Sequence, residues 1–495
     1  MSALPPPTHA VAQSLHFDAR NASNESALLH SALRLGLLDR IVDAGDDGVD
    51  QGRVAHELGA SPRGVRVLVE MLLGMKLAFR SGDRIRALPA LSTPLGSAPV
   101  RLELEESARW FGPAARLEQV VQTGEDLEGV LTRYRRVFLE QAPAFDTAAL
   151  ELWRRFAVSG LRTAALRAAS RLGLFEAAAA SASSADIARD RQVSAEGLAL
   201  LKSVLERMGV LAPGEPWRFS EGAAPIFDDR GRPYYVRSLE VSARYWDALT
   251  QLDRTVKTGE FVLDLKNAEV SAEFYADNSS QISAVFASHF RLARQAAATL
   301  ASVHRPKNPE VLDIGTGSGV WGAAFAATYP DAQVTYFDQA SVFPQVQANL
   351  ERVKVHTRAR MRPGNLFTET FEQGRYDIVI LPQVLNVLVP EDVPGLIGRA
   401  ARALKPTGVL VIAEYVLDPD RDGPLDHLYF QFRRYVTNEG DLFTFAEYAA
   451  MLREVGLPNS RCHPLPTQEL ILAAREDLPL PERLVQLPTP VARAG

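Results

Sequence analysis

Apolar positions along the C-terminal part of the chain come in short runs, at residues 310–314, 333–337, 376–381, 408–414 and 469–473, with helical stretches between them. Strands alternating with helices in this way predict a doubly wound α/β sheet. Upstream the period changes. Val65, Leu68, Leu72 and Met75 recur at helical spacing, and a short polar segment from Arg80 to Arg86 follows them. The expected unit is a helical bundle with a hairpin wing.

That upstream unit occurs twice. Ser107-Ala108-Arg109-Trp110-Phe111 returns as Ser242-Ala243-Arg244-Tyr245-Trp246, and Thr123-Gly124-Glu125 returns as Thr258-Gly259-Glu260, both at one and the same displacement. Leu35-Gly36-Leu37-Leu38 matches Leu172-Gly173-Leu174-Phe175, and Ser61, Gly64, Leu68, Leu72 and Met75 match Ser194, Gly197, Leu201, Leu205 and Met208. Four ordered matches indicate a duplication. The second wing is expected at Pro213 to Phe219.

The first apolar run of the C-terminal part leads directly into Asp313-Ile314-Gly315-Thr316-Gly317-Ser318-Gly319, and a helix follows from Val320 to Thr328. Glycines at every second position let the backbone turn sharply and approach a ligand, while the helix aims its first amides at it. A dinucleotide fingerprint reads G-x-G-x-x-G and holds a pyrophosphate; here the acid precedes the glycines. A carboxylate there repels phosphate and attracts an ammonium group, which suits S-adenosylmethionine. The next strand ends in Asp338, where a carboxylate can accept hydrogen bonds from ribose hydroxyls. Since ligands sit at the carboxyl ends of such strands, Asp313, Gly315, Gly317, Gly319, Asp338, Gln339, Asn365, Leu366, Phe367 and Gln383 form the expected cofactor rim. In Asn365-Leu366-Phe367 the amide would meet an adenine edge and an apolar side chain its face, or the Asn simply forms a turn.

Residues from about 150 to 476 resemble the two-domain small-molecule O-methyltransferases, the family of caffeate, hydroxyindole and bacterial polyketide methyltransferases. The resemblance rests on Leu172-Gly173-Leu174-Phe175, Thr258-Gly259, Leu312-Asp313-Ile314-Gly315, Leu404-Lys405-Pro406-Thr407-Gly408, and Phe445-Ala446-Glu447-Tyr448 through Gly456-Leu457. It implies a Rossmann-like domain that binds S-adenosylmethionine, preceded by a winged-helix-like domain that dimerises the enzyme. It also implies a catalytic His after the fourth strand, and this chain departs there: Leu385-Asn386-Val387 puts Asn386 at that place. An amide takes no proton at neutral pH. Either the acceptor needs no strong base, or another residue supplies one. His289, on the helix leading into the cofactor domain, and His427, on the helix that walls the family's substrate pocket, are the candidates. Phe286, Phe290, Asn386, Tyr429 and Phe430 are candidate substrate contacts, although aromatics at helical spacing also serve as core.

Composition narrows the alternatives. The chain has 495 residues, 54 basic against 60 acidic side chains and a net charge of −6, and neither recognition-like helix carries a basic stripe, so nucleic acid is not the expected partner. There is no apolar run of membrane-spanning length and no signal-peptide pattern at the start, which fits a cytoplasmic protein without a membrane partner. The single Cys462 suits a reducing compartment. His9, His16, His30, His56, His304, His356 and His463 show no metal-ligand spacing, and no metal is expected. The expected organisation is a first helical copy at 1–149, a second at 150–270, the cofactor domain at 271–476 and a Pro-rich, mobile tail at 477–495. Its doubled helical domain would make a homodimer or an internal pseudo-dimer. The expected activity is methyl transfer to a small aromatic specialised metabolite, on oxygen by family default, with nitrogen, sulfur or carbon open because of Asn386. The alternatives are a protein of this fold that binds S-adenosylmethionine without methylating, pericyclase-like or oxygenase-like, and a non-catalytic interaction protein.

Overall fold

The computed structural model describes residues 7–229, 231–267, 269–270, 274 and 279–487. The Pro-rich start as far as Pro6 and the tail from residue 488 onward lie outside them. Two compact units divide the chain, Met1–Leu263 and Asp264–Gly495.

The second unit is built on seven strands: β1 (Glu310–Ile314), β2 (Gln333–Asp338), β3 (Ala359–Pro363), β4 (Tyr376–Pro382), β5 (Leu404–Glu414), β6 (Asn459–Pro464) and β7 (Glu469–Ala474). Their spatial order is β6-β7-β5-β4-β1-β2-β3. Pairing is parallel from β3 through β5, and β7 lies antiparallel to both β5 and β6. The strand order reverses between β1 and β4, and at such a switch the carboxyl ends of the two strands open a crevice.

Alternate residues of each strand enter opposite layers. Val311, Ile378, Ile380, Val409 and Val411 pack with helices α1 (Ser279–Ala301) and α2 (Val320–Thr328); Leu312, Val379, Leu381, Leu410 and Ile412 pack with α4 (Val393–Ala403), while α3 (Phe343–Arg352) joins the first layer. Burial on both faces explains why these strands read as unbroken apolar runs. Each fully buried Leu or Ile contributes roughly 1.5–3 kcal/mol relative to exposure, so the doubly covered sheet gives the rim a rigid base.

Two strands differ from the sequence expectation. β5 starts at Leu404 rather than 408, with an irregularity in its pairing to β4 around Lys405–Thr407, where Lys405 Nζ meets Asp377 Oδ2 at 2.7 Å. The edge strand β6 was not expected at all. Its residues, Asn459-Ser460-Arg461-Cys462-His463-Pro464, are mostly polar because all but His463 keep part of their surface in water at this end of the sheet, so no apolar run marks it.

In the first unit the hairpin expected at 80–86 forms from Ala78–Ser81 and Arg84–Ala87, joined by the short strand Val49–Asp50. The corresponding segment at 213–219 is held by a single bridge, Leu211 to Phe219. Pro213 and Pro216 lack the N–H donors a longer ladder needs. Ser61 and Ser194, matched in the repeat, both cap a helix: each Oγ accepts from the amide three residues on, Gly64 and Gly197. No helix among the described residues is long and apolar enough to cross a membrane.

Candidate active site

The turn after β1 is shaped from inside by Asp313. This carboxylate is fully buried; its Oδ2 accepts from Thr316 Oγ1 at 2.7 Å and from the Gly322 amide at 2.9 Å. It thereby ties strand, turn and helix together. Burial raises its pKa to about 7, against the opposing hydrogen bonds, and Oδ1 has no hydrogen-bond partner among the described residues. The sequence reading placed Asp313 at the ligand's ammonium end. The structure places it beneath the turn, because alternation along β1 directs position 313 into the α2 layer.

Gly315, Gly317 and Gly319 all occupy the left-handed region, at φ +70, +52 and +76. They are not equivalent. A Cβ on Gly315 would sit 2.6 Å from Val384 Cγ2 and one on Gly319 2.8 Å from Val346 Cγ1, whereas one on Gly317 would meet nothing within 4 Å. The backbone is therefore packed from below at two glycines and open at the third, the arrangement a close-lying ligand requires.

Asp338, at the end of β2, is half-buried and accepts from the amides of Gly317 at 2.9 Å and Gln339 at 2.7 Å. Its pKa is raised by burial, partly offset by those two amides. Asn365 is exposed, and its Oδ1 accepts from the Phe367 amide at 2.9 Å, which closes a local turn. That turn leaves Phe367 with 59% of its surface in water, while Leu366 packs partly into the core.

On the other side of the switch, Gln383 adopts the left-handed region at φ +52, an uncommon conformation for a side chain of its kind. Its amide binds the Ala413 carbonyl at 2.8 Å and its Nε2 donates to Gln468 Oε1 at 2.5 Å. Asn386 is almost completely buried. Its Nδ2 donates to Glu414 Oε2 at 2.8 Å, while Glu414 Oε1 accepts from the amides of Leu385 at 2.8 Å and Asn386 at 3.3 Å. Burial raises the Glu414 pKa to about 7 in spite of these donors. Glu414 was missed by sequence reasoning. The signal was present: it ends an apolar strand at the same rim as Asp338.

His427, on α5 (Leu425–Val436), is buried with Nδ1 2.8 Å from the Val416 carbonyl and 3.7 Å from Glu469 Oε2. Donation from Nδ1 to the carbonyl leaves Nε2 as the acceptor nitrogen. Its ring meets Tyr415, which in turn lies 4.3 Å from Phe430 between centroids. Tyr429 is buried. His289 is half-buried on α1, its pKa lowered by burial. Phe286 and Phe290 stack on one another at 5.4 Å within the layer that α1 and α2 share, a core placement for Phe286. Among the described residues no group of His, Cys, Asp or Glu is arranged to hold a metal.

The mostly parallel sheet has its switch at β1 and β4, with a glycine turn after β1 and acids at or next to the carboxyl ends of β1, β2 and β5, which is where sheets of this kind open a ligand crevice. The chain matches the family model of the O-methyltransferase domain over residues 270–458. It is 29% identical over 168 residues to acetylserotonin O-methyltransferase of Bos taurus, a match covering 34% of this chain and 48% of the relative. To L-tyrosine C(3)-methyltransferase of Streptomyces lavendulae it is 26% identical over 151 residues, 30% of this chain and 40% of the relative. The chain thus spans about half the length of the curated relatives it matches. A solved structure of an O-methyltransferase family protein from Burkholderia thailandensis shares the fold with a TM-score of 0.55 at 18% identity, over 66% of this chain and 98% of that one.

Proposed function

We propose that this protein transfers a methyl group from S-adenosylmethionine to a small, largely apolar, aromatic acceptor of specialised metabolism. The observation that carries the reading is the turn itself: packed from below at Gly315 and Gly319, open at Gly317, and tied to the half-buried Asp338. The space above Gly317 and the exposed Phe367 ring both suit an adenosyl ligand at this rim. Asp338 and Gln339 would hold the ribose, Asn365, Leu366 and Phe367 the adenine, and the turn with Gln383 the amino acid end. Asp313 would act through the turn it holds. When bound, the cofactor supplies an already activated methyl group. The chain's part is then to hold the acceptor in line and keep water out.

Asn386 shapes the acceptor chemistry. Locked to Glu414, it orients without taking a proton. His427 on α5, with Nε2 as acceptor, is one alternative base and His289 the other; Tyr429, Phe430, Phe286 and Phe290 remain the proposed apolar surroundings of the acceptor. One relative is named for methylation at carbon and another for methylation at oxygen, so loss of the base is compatible with oxygen, nitrogen, sulfur or carbon acceptors. The same substitution favours one further reading, a protein of this fold that binds S-adenosylmethionine without methylating. We place the protein in the cytoplasm and read the helical repeats as a winged-helix-like duplication.

Calorimetry with S-adenosylmethionine and its demethylated product tests the cofactor. Absence of binding by both ends the proposal. Tight binding with no methyl transfer to a broad panel of phenols, amines, thiols and activated carbons would select the non-methylating reading.

A further inference from the structure

We infer that the helical repeats of the first unit, in its described residues, form a dimer interface closed within one chain, the first repeat occupying the face of the second that a separate subunit would otherwise take. The basis is reciprocity, and it stands independently of the methyltransferase reading. Helix Ala22–Arg34 and its counterpart Ser159–Arg171 have the same length, align residue for residue in the repeat, and pack against each other. Ser26 Oγ donates to the Arg155 carbonyl at 2.9 Å; at the equivalent positions Thr163 Oγ1 donates to the Asp18 carbonyl at 2.7 Å. The Ser61 amide binds the Val256 carbonyl at 2.8 Å, and the equivalent Ser194 amide binds the Val121 carbonyl at 3.1 Å. Phe111 and Trp246, which are equivalent to one another, stack at 4.6 Å with their planes 19° apart.

Contacts in which each residue of one copy meets the counterpart of its own partner are isologous, and an equivalent pair stacked on itself marks the two-fold axis. Two separate chains with a single repeat each would meet in this way. Here one chain supplies both halves.

The charges specify which halves pair. Arg162 Nε lies 2.9 Å from Asp18 Oδ1 and its NH2 2.6 Å from Oδ2, with Asp18 almost fully buried. The repeat equivalent of Asp18 is Arg155, and that of Arg162 is Glu25. Pairing two second repeats would therefore set Arg155 of one chain against Arg162 of the other, and pairing two first repeats would set Asp18 against Glu25. Like charges at a desolvated contact disfavour both pairings, while the first-with-second pairing joins opposite charges. The partner this surface fits is a first-repeat surface, and the chain carries one.

Light scattering on the full chain, with thermal unfolding of Asp18→Arg, Arg162→Asp and the double reversal, tests this. The inference expects the mass of one chain at every concentration. Each single reversal should lower the unfolding midpoint by about 5–10 °C, and the double reversal should restore most of it. Mixing the two single variants should restore nothing, since the pair forms within a chain. A two-chain mass for the unmodified protein overturns the inference, as does recovery of the midpoint on mixing, and neither result bears on cofactor binding. The mass of the unmodified chain decides even if a variant fails to fold.

Discussion

Two buried carboxylic acids make the candidate site sensitive to pH. Asp313 and Glu414 titrate at about 7 in the folded protein because burial disfavours their charged forms, whereas in an unfolded chain such groups ionise near pH 4. With the folded pKa above the unfolded one, the stability they contribute is complete below about pH 4 and is lost as pH rises through about 7. Their contribution lowers the urea midpoint at about pH 8 relative to about pH 5.5, opposed by histidines such as His30 whose pKa burial lowers, and Glu414→Gln should shift the gap between the two midpoints toward greater stability at the higher pH. A gap untouched by that substitution would remove Glu414 from the explanation. At the rim, Asp338→Ala should weaken S-adenosylmethionine binding about ten-fold, the worth of one or two lost hydrogen bonds to a charged acceptor. Calorimetry returning an unchanged affinity would show that the ribose lies elsewhere.

The turn between β1 and α2 separates two kinds of glycine. Gly315→Ala forces a side chain into the left-handed region and against Val384, so the folded state should lose stability by about 1–3 kcal/mol with or without ligand. Gly317→Ala carries the same backbone strain but meets no protein atom. Its larger effect should fall on the cofactor, with affinity down at least about ten-fold while the thermal midpoint falls less than in Gly315→Ala. Paired melting and calorimetry on the two variants check this, and an equal loss of affinity and stability in both would contradict the open face at Gly317. At this scale the strand–turn–helix was legible in advance, since an apolar run, three glycines and a helix are neighbours in the chain. β6 was not, because an edge strand need not be apolar, and the irregular start of β5 was not, because Lys405, Pro406 and Thr407 read as a turn.

Across the whole molecule, two compact units are expected to give two unfolding transitions, and only the second unit holds the proposed ligand site. Saturation with S-adenosylmethionine at about a hundred times its dissociation constant should stabilise Asp264–Gly495 by about 2.7 kcal/mol and leave the transition of Met1–Leu263 in place. Calorimetric scans with and without ligand would show one transition moving; a shift of both together, or of neither, would count against a ligand site confined to the second unit.

What the sequence determined alone was local: the apolar runs that become doubly covered strands, the acid and glycines that form the turn after β1, and the repeated segments of the helical unit. These are settled by neighbours in the chain and by the periods of strand and helix. What only the tertiary structure decided was long-range pairing. Folding placed Glu414 beneath Asn386, 28 residues away, and joined Gln383 to Gln468, 85 residues apart. It turned Asp313 inward through the pleat of β1, and it faced Asp18 with Arg162 across 144 residues. Each of those contacts exists because a sheet or a helix pair brings distant residues to one place, and no periodicity along the chain records that meeting.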